Sequence, residues 1–68
     1  MKNRIKELRA ARDLTQAELA EIISVSSRTI ISLEKGQYNP SVLLARKLSL
    51  VFGCPIEEVF LFGEEDGI

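Results

Sequence analysis

The side chains of this 68-residue chain that could do chemistry are mainly its charged groups, nine Lys and Arg and ten Asp and Glu. The chain has no histidine, one cysteine (Cys54), no Gly-rich phosphate loop and no Cys/His metal set. The usual general base, the commonest metal ligand and a nucleophile paired with a base are therefore missing. Glu34 has no second acid beside it that would form a catalytic pair. We therefore expect a binding protein rather than an enzyme, with no metal and no cofactor.

One short segment, residues 27–35, offers hydrogen-bond donors at helical spacing. If it is a helix, Ile30 and Leu33 face inward and the opposite face is left outside. That outer face consists of Ser27, Arg28, Ile31, Ser32 and Lys35. Small polar groups with two bases suit the major groove of DNA, where arginine to guanine is the commonest specific contact. The alternative is an ordinary solvated face, although serines are poor helix formers and an odd choice for solubility alone.

The charges are divided unevenly along the chain. Residues 1–47 hold all nine Lys and Arg against five acids, whereas residues 48–68 hold no base and five acids, so the net charge of −1 conceals a basic half. A basic footprint is typical of proteins that bind nucleic acid. Acidic tails are also common as solubilising segments, so the charge pattern alone leaves both interpretations open.

The hydrophobic pattern predicts helices that could position this face. Thr15 followed by Glu18 is a capping box, and a serine precedes each of the next two predicted helices. The predicted helices are 2–12, 16–23, 27–35, 42–52 and a short one from 55 to 60 or 61, with Ser26 or Ser27 as the third cap and Ser41 as the fourth. In the second helix, Ala17, Leu19, Ala20 and Ile23 are available for the core. Residues 16–35 form a helix-turn-helix unit if these apolar positions converge.

Size and hydropathy set further bounds. A chain of this length buries only about 60% of the surface that it exposes when unfolded, so a partner subunit would add stability. The longest uncharged apolar stretch, 48–56, is too short to span a bilayer, and the charged N-terminal residues do not resemble a signal peptide. We expect one domain over residues 1–62 with an acidic tail over 63–68, located in the cytoplasm and not bound to a membrane.

Several motifs together resemble the Cro/C1-type helix-turn-helix family of phage and bacterial regulators. They are Thr15-Gln16-Ala17-Glu18-Leu19-Ala20, Val25-Ser26, Thr29-Ile30, Leu33-Glu34-Lys35-Gly36 and Tyr38-Asn39-Pro40-Ser41. The resemblance covers residues 3–61 and is greatest to small single-domain members. It implies an all-α, compact five-helix domain of the lambda-repressor-like type. It also implies a transcriptional regulator that binds double-stranded DNA sequence-specifically.

The resemblance implies roles for particular residues. Base contacts would come from Ser27, Arg28 and Ser32, with Ile31 either against a thymine methyl or simply exposed. The contacts to DNA phosphates would come from Gln16, Lys35 and Asn39. An arginine of the first helix pairs with a glutamate of the third in this family, which here would be Arg9 and Glu34 as a structural ion pair.

The resemblance also implies a homodimer, because a two-fold operator needs two reading helices about 34 Å apart. Some minimal members pair a short C-terminal strand across the dimer, which would place Leu61, Phe62 and Leu50 on the dimer surface. The alternative is that Leu61 and Phe62 only cover the core. Repression by promoter occlusion is the expected mechanism, and no small-molecule ligand is evident.

Two departures from the family pattern qualify this interpretation. Ser24 stands where the turn usually has glycine, and a positive φ there would cost about 1 kcal/mol. Ile22, Leu43 and Leu50 are apolar where members are often polar. Together with Ile31 they favour the alternative function, a protein-interaction module such as an antitoxin-like partner.

Overall fold

The computed structural model describes residues 1–62 as a bundle of five α-helices. The helices are α1 (Ile5–Ala11), α2 (Gln16–Ile22), α3 (Ser27–Glu34), α4 (Val42–Phe52) and α5 (Ile56–Val59). Within these residues the extended structure is limited to a single antiparallel bridge. The prediction of an all-α, five-helix fold is confirmed, while the predicted acidic tail, 63–68, lies outside the described residues.

Three of the helices begin at caps that the sequence predicted. The Thr15 hydroxyl accepts from the backbone N–H of Glu18 at 3.0 Å, and the Glu18 carboxylate accepts from the backbone N–H of Thr15 at 2.9 Å. The hydroxyls of Ser26 and Ser41 likewise accept from the backbone N–H groups of Thr29 and Leu44, at 3.2 and 3.1 Å, without the reciprocal bond. Each cap satisfies a backbone N–H that the helix itself leaves without a partner. The starts of α2, α3 and α4 therefore follow from local chemistry.

The capping box also changes the pKa of one of its own residues, Glu18. The backbone N–H and then the hydroxyl of Thr15 lower the pKa of the exposed Glu18 carboxyl, because both bonds favour the charged form. The contribution of this box to stability is therefore present above the ordinary pKa of glutamate. It is lost as the pH falls through the lowered value.

The prediction that the first helix begins at residue 2 is wrong, because residues 2–4 pair with the chain that follows α5. Asn3 and Phe60 form the bridge, with the N–H of Leu61 donating to the Lys2 carbonyl at 2.8 Å and that of Arg4 to the Val59 carbonyl at 2.8 Å. The same pairing ends α5 at Val59, one or two residues earlier than predicted.

Buried apolar side chains from all five helices form a single core. They are Ile5, Leu19, Ala20, Ile23, Ile30, Leu33, Leu44, Ala45, Leu48, Phe52, Val59 and Phe60. Ala17, which the pattern offered to this core, is exposed. The reason is that the packed stripe of α2 runs through positions 16, 20 and 23, at the i, i+4, i+7 spacing of one helix face. Gln16 rather than Ala17 therefore begins the inward face.

Long side chains bond to carbonyls at the ends of helices. Arg12 donates to the Phe52 carbonyl at 2.6 Å, and Lys47 donates to the Ile23 carbonyl at 3.3 Å. Asn3 donates to the Leu33 carbonyl at 2.6 Å, near the end of α3. Carbonyls in the last turn of a helix have no partner within that helix. A cation near them also interacts favourably with the negative end of the helix dipole. These bonds join segments far apart in sequence.

The predicted partners Arg9 and Glu34 form an ion pair that ties α1 to α3. The Arg9 Nε donates to Glu34 Oε2 at 2.7 Å, and Nη2 donates to Oε1 at 3.4 Å. Arg9 Nη1 also donates to the Leu14 carbonyl at 2.8 Å. The side chains are only 15% and 7% exposed, in contrast to the surface pair Arg4–Glu7, where they are 41% and 69% exposed.

The turn between α2 and α3 contains a strained residue. Ser24 has φ +58°, in the left-handed region that only glycine adopts without cost. The turn is nevertheless closed, since the N–H of Val25 donates to the Ala20 carbonyl at 2.9 Å. The chain therefore tolerates strain at a position where the family that the sequence resembles usually has glycine.

Replacing Ser24 by glycine should raise the free energy of unfolding by about 1 kcal/mol. In the left-handed conformation a Cβ lies too close to the backbone carbonyl oxygen, and glycine has no Cβ. Urea unfolding followed by circular dichroism measures the change. Ser24→Ala keeps the Cβ and serves as the matched control. An equal gain from alanine would show that the serine hydroxyl, rather than the backbone, is the source of the cost.

Glu34→Gln should lower the free energy of unfolding by about 3 kcal/mol, because it leaves the largely buried Arg9 guanidinium without a carboxylate. Glu7→Gln, which removes the acid of the exposed pair, should cost less than about 1 kcal/mol. The same urea titration measures both variants. Similar losses in the two variants would contradict a special role for Glu34.

Candidate nucleic-acid interface

The outer face of α3 is presented to solvent because the opposite face is anchored in the core. Ile30 and Leu33 are fully buried, one helical turn apart. On the opposite side, Ser27, Arg28, Ile31 and Lys35 are exposed and Ser32 is half-buried. The structure therefore brings together on one face the residues that the sequence predicted for base contacts, with Lys35 at the C-terminal end.

One flank of α3 faces a hollow of about 240 Å³, here called the α1 hollow. It is lined by Lys6, Arg9, Gln16, Ile31, Glu34 and Lys35. Gln16 and Lys35, predicted separately as phosphate contacts, thus line the same hollow. The Gln16 amide Nε2 donates to Glu34 Oε1 at 3.0 Å, so one of its two hydrogens is already bonded.

Lys6 is a residue of this hollow to which the sequence interpretation gave no role. It lies three positions before Arg9, a spacing that places two side chains on the same helix face. That spacing could have identified it, because the expected Arg9–Glu34 pair already located this face of α1 against α3.

The other flank of α3 faces a second, larger hollow of about 360 Å³, here called the loop hollow. It is lined by Ser26, Arg28, Thr29, Ser32, Gln37 and Tyr38. Tyr38 is 41% exposed, and Gln37 is exposed as well. Gln37 was not predicted, since the order of side chains in a turn is not readable from helical spacing. The outer face of α3 is therefore a ridge between two polar hollows.

Asn39 is not brought together with the other predicted phosphate contacts. It is exposed and lines an apolar hollow of about 270 Å³ that also includes Val42 and Phe62. Its contact with a phosphate stays a prediction.

The three residues predicted for the dimer surface are all exposed. Leu50 is 67%, Leu61 41% and Phe62 43% exposed. Phe62 lies in the apolar hollow beside Val42, whereas Leu61 lies in another hollow near Lys35, and Leu50 lines neither. Because the Leu61 N–H is bonded to Lys2 of the same chain, one edge of this short segment is already occupied. Pairing across a dimer would use the opposite edge.

The bases divide into those that hold the fold and those that face solvent. Arg9, Arg12 and Lys47 are bonded to protein groups far away in sequence. Lys6, Arg28 and Lys35 are exposed and have no carboxylate partner among residues 1–62. These three surround the ridge of α3. Lys2 and Arg46 are likewise exposed without a carboxylate partner in this range, so three of the five unpaired exposed bases lie around the ridge.

Neither a metal site nor a membrane-spanning helix is found in the part of the chain that the structure describes. No group of three or more His, Cys, Asp or Glu side chains is arranged to hold a metal ion within residues 1–62. No helix in this range is long and apolar enough to cross a bilayer.

Comparisons with known proteins found a family model and individual relatives that match this chain. The helix-turn-helix family model matches residues 5–59. An uncharacterized HTH-type transcriptional regulator of Archaeoglobus fulgidus is 52% identical over 66 residues, which are 97% of this chain and 93% of that protein. The cryptic phage CTXphi transcriptional repressor RstR of Vibrio cholerae is 39% identical over 57 residues, which are 84% of this chain and 51% of RstR.

A solved structure shows the same fold. The restriction-modification controller protein C.AhdI from Aeromonas hydrophila superposes with a TM-score of 0.75 at 32% identity, covering 84% of this chain and 86% of that one. The resemblance inferred from the sequence motifs is confirmed, and the relatives are regulators rather than enzymes. The chain belongs to the helix-turn-helix family of transcriptional regulators.

Proposed function

We propose that this regulator reads a specific sequence of double-stranded DNA by laying α3 in the major groove. The observation that carries the proposal is the exposed ridge of α3 with a polar hollow on each flank. The major groove is about 12 Å wide and admits one helix, and a phosphate backbone runs along each side of it. A ridge between two polar hollows is complementary to that shape.

The residues of the ridge, on the outer face of α3, make the contacts to the DNA bases. Arg28 is exposed without a carboxylate partner in the described chain, so its guanidinium is available for guanine O6 and N7. Ser27 and Ser32 provide hydroxyls that donate and accept, and Ile31, 36% exposed, offers an apolar contact to a thymine methyl. These roles specify sequence, whereas Gln16, Lys35 and Asn39 contact phosphates and set the position of the helix.

The active form is a homodimer that represses by covering a promoter. Two copies would place two α3 helices on half-sites about 34 Å apart. The dimer surface consists of Leu50, Leu61 and Phe62, whose exposure supports an interface. A relative that is named a transcriptional repressor, RstR, supports repression as the outcome. The DNA-binding domain comprises residues 1–62, followed by an acidic tail over 63–68.

A second candidate function rests on apolar exposure away from α3. Ile22, Leu43 and Val42 are 54%, 63% and 85% exposed, and large apolar side chains that are exposed to this extent favour a protein partner. In that function the fold would act as a protein-interaction module. Binding to an apolar partner would respond little to salt, whereas binding to DNA weakens steeply as salt rises.

Fluorescence anisotropy with the DNA upstream of its own gene and with a scrambled duplex, across a salt series, tests the proposal. The expected result is salt-sensitive binding with preference for the upstream duplex and two chains bound per duplex at saturation. Weak binding whose affinity is the same at all salt concentrations and for both duplexes would overturn sequence-specific DNA binding and favour the protein-interaction module.

Arg28→Ala should reduce the preference for the correct operator by about 1–3 kcal/mol at one base position, because a bidentate contact to guanine is lost. Anisotropy competition between operators that differ at single positions measures the effect. An equal loss on operator and random DNA would contradict the assignment to a base.

Lys35→Ala should weaken binding to all sequences alike and lower the magnitude of the salt slope by about 0.9, because one phosphate contact is removed. The salt series with operator and random duplexes measures both quantities. A change in the preferred sequence would show that Lys35 contacts a base instead.

A further inference from the structure

The α1 hollow contains more positive charge than the helix-turn-helix unit alone supplies. Its lining brings residues of three helices together beside the ridge: Lys6 and Arg9 from α1, Gln16 from α2, and Ile31 and Glu34 from α3, with Lys35 at the α3 C-cap. The question is which of these groups can bind an anion.

Arg9 holds the fold together, and its charge is already balanced. Its Nε and Nη2 donate to Glu34 and its Nη1 donates to the Leu14 carbonyl, so each guanidinium nitrogen makes one bond within the protein. The charge of Arg9 is balanced by the carboxylate of Glu34, which would otherwise repel a phosphate that entered the hollow. The net positive charge that attracts an anion must therefore come from the other cations.

Two cations remain, and they belong to different elements. Lys6 lies on α1 and Lys35 at the end of α3, and both are exposed. Neither ammonium has a carboxylate partner among residues 1–62. With Arg9 and Glu34 balanced, the lining of the hollow keeps a charge of +2 from these two lysines.

Gln16 adds a directed neutral donor. Its Nε2 donates one hydrogen to Glu34 Oε1, which holds the amide in place and leaves the second hydrogen for another acceptor. Two ammonium groups and one oriented amide N–H suit the acceptor-only oxygens of a phosphodiester, which carries a single negative charge.

We propose that the α1 hollow binds one phosphate of the DNA backbone and that Lys6 is a phosphate ligand. This inference rests on the proposed function, and it extends the DNA contacts to α1, outside the helix-turn-helix unit. The backbone phosphate is then held from both sides of the hollow, so that the angle between α3 and the groove is set by three elements rather than two.

Lys6→Gln in the full chain is the test, with Lys6→Arg as the variant that keeps the charge. Arg46→Gln is the matched control, because Arg46 is also exposed but lies on α4 and lines neither hollow. Anisotropy is measured on the upstream duplex and on a random duplex across a salt series. Thermal unfolding of each variant verifies that the fold is intact.

The expected result is that Lys6→Gln lowers the magnitude of the salt slope by about 0.9 on both duplexes, the value for one phosphate contact. Lys6→Arg and Arg46→Gln should keep the wild-type slope. An unchanged slope in Lys6→Gln, beside a wild type that binds DNA with a steep slope, would overturn this inference and leave the proposed function intact. A wild type without salt-dependent binding would instead overturn the proposed function.

Two further outcomes would also overturn the inference. A slope lowered equally by Arg46→Gln would show an effect of net charge and not of the hollow. Inorganic phosphate, compared with chloride at equal ionic strength, tests for a free anion as ligand. If phosphate raises the melting temperature of the wild type but not of Lys6→Gln, and the DNA slopes are equal, the hollow binds free phosphate instead of the backbone.

Discussion

The arrangement of α3 depends on the hydrogen bonds that the carboxylate of Glu34 accepts. It accepts from Arg9 of α1 at 2.7 Å and from Gln16 of α2 at 3.0 Å, and it belongs to α3 itself. A negative charge in the last turn of a helix is unfavourable to the helix dipole, so the arginine is needed to make this position acceptable. One buried carboxylate thereby sets the relative positions of the three helices that form the candidate interface.

This network also explains how the chain uses its bases. Arg9, with Arg12 and Lys47, is held by carboxylate or carbonyl oxygens inside the fold. Positive charge for a ligand is left to side chains at the rim of α3. The net charge of −1 is therefore a poor guide to function, because structural bases, surface bases and acidic residues far along the chain are all counted together.

The start of the chain and the segment after α5 are joined in a way that bears on the same helix. Asn3 bridges to Phe60, accepts from the Ile5 N–H at 3.1 Å to start α1, and donates to the Leu33 carbonyl at 2.6 Å. The segment that carries Leu61 and Phe62, two of the three proposed dimer residues, is thus connected to the end of α3 through the hydrogen bonds of Asn3. A short domain with a small core gains rigidity by sharing a single residue among three elements.

The sequence by itself determined the starts of α2, α3 and α4, the inward face of α3 and the family, because caps and helical periodicity depend on residues three or four positions apart. It also indicated the Arg9–Glu34 pair through the family resemblance. Only the tertiary structure decided that residues 2–4 bond to residues 59–61 instead of starting a helix, that Gln16 bonds to Glu34, and that Lys6 lines the α1 hollow. Each of these depends on which segments meet across the fold, and such contacts are set by the packing of the whole core rather than by neighbouring residues.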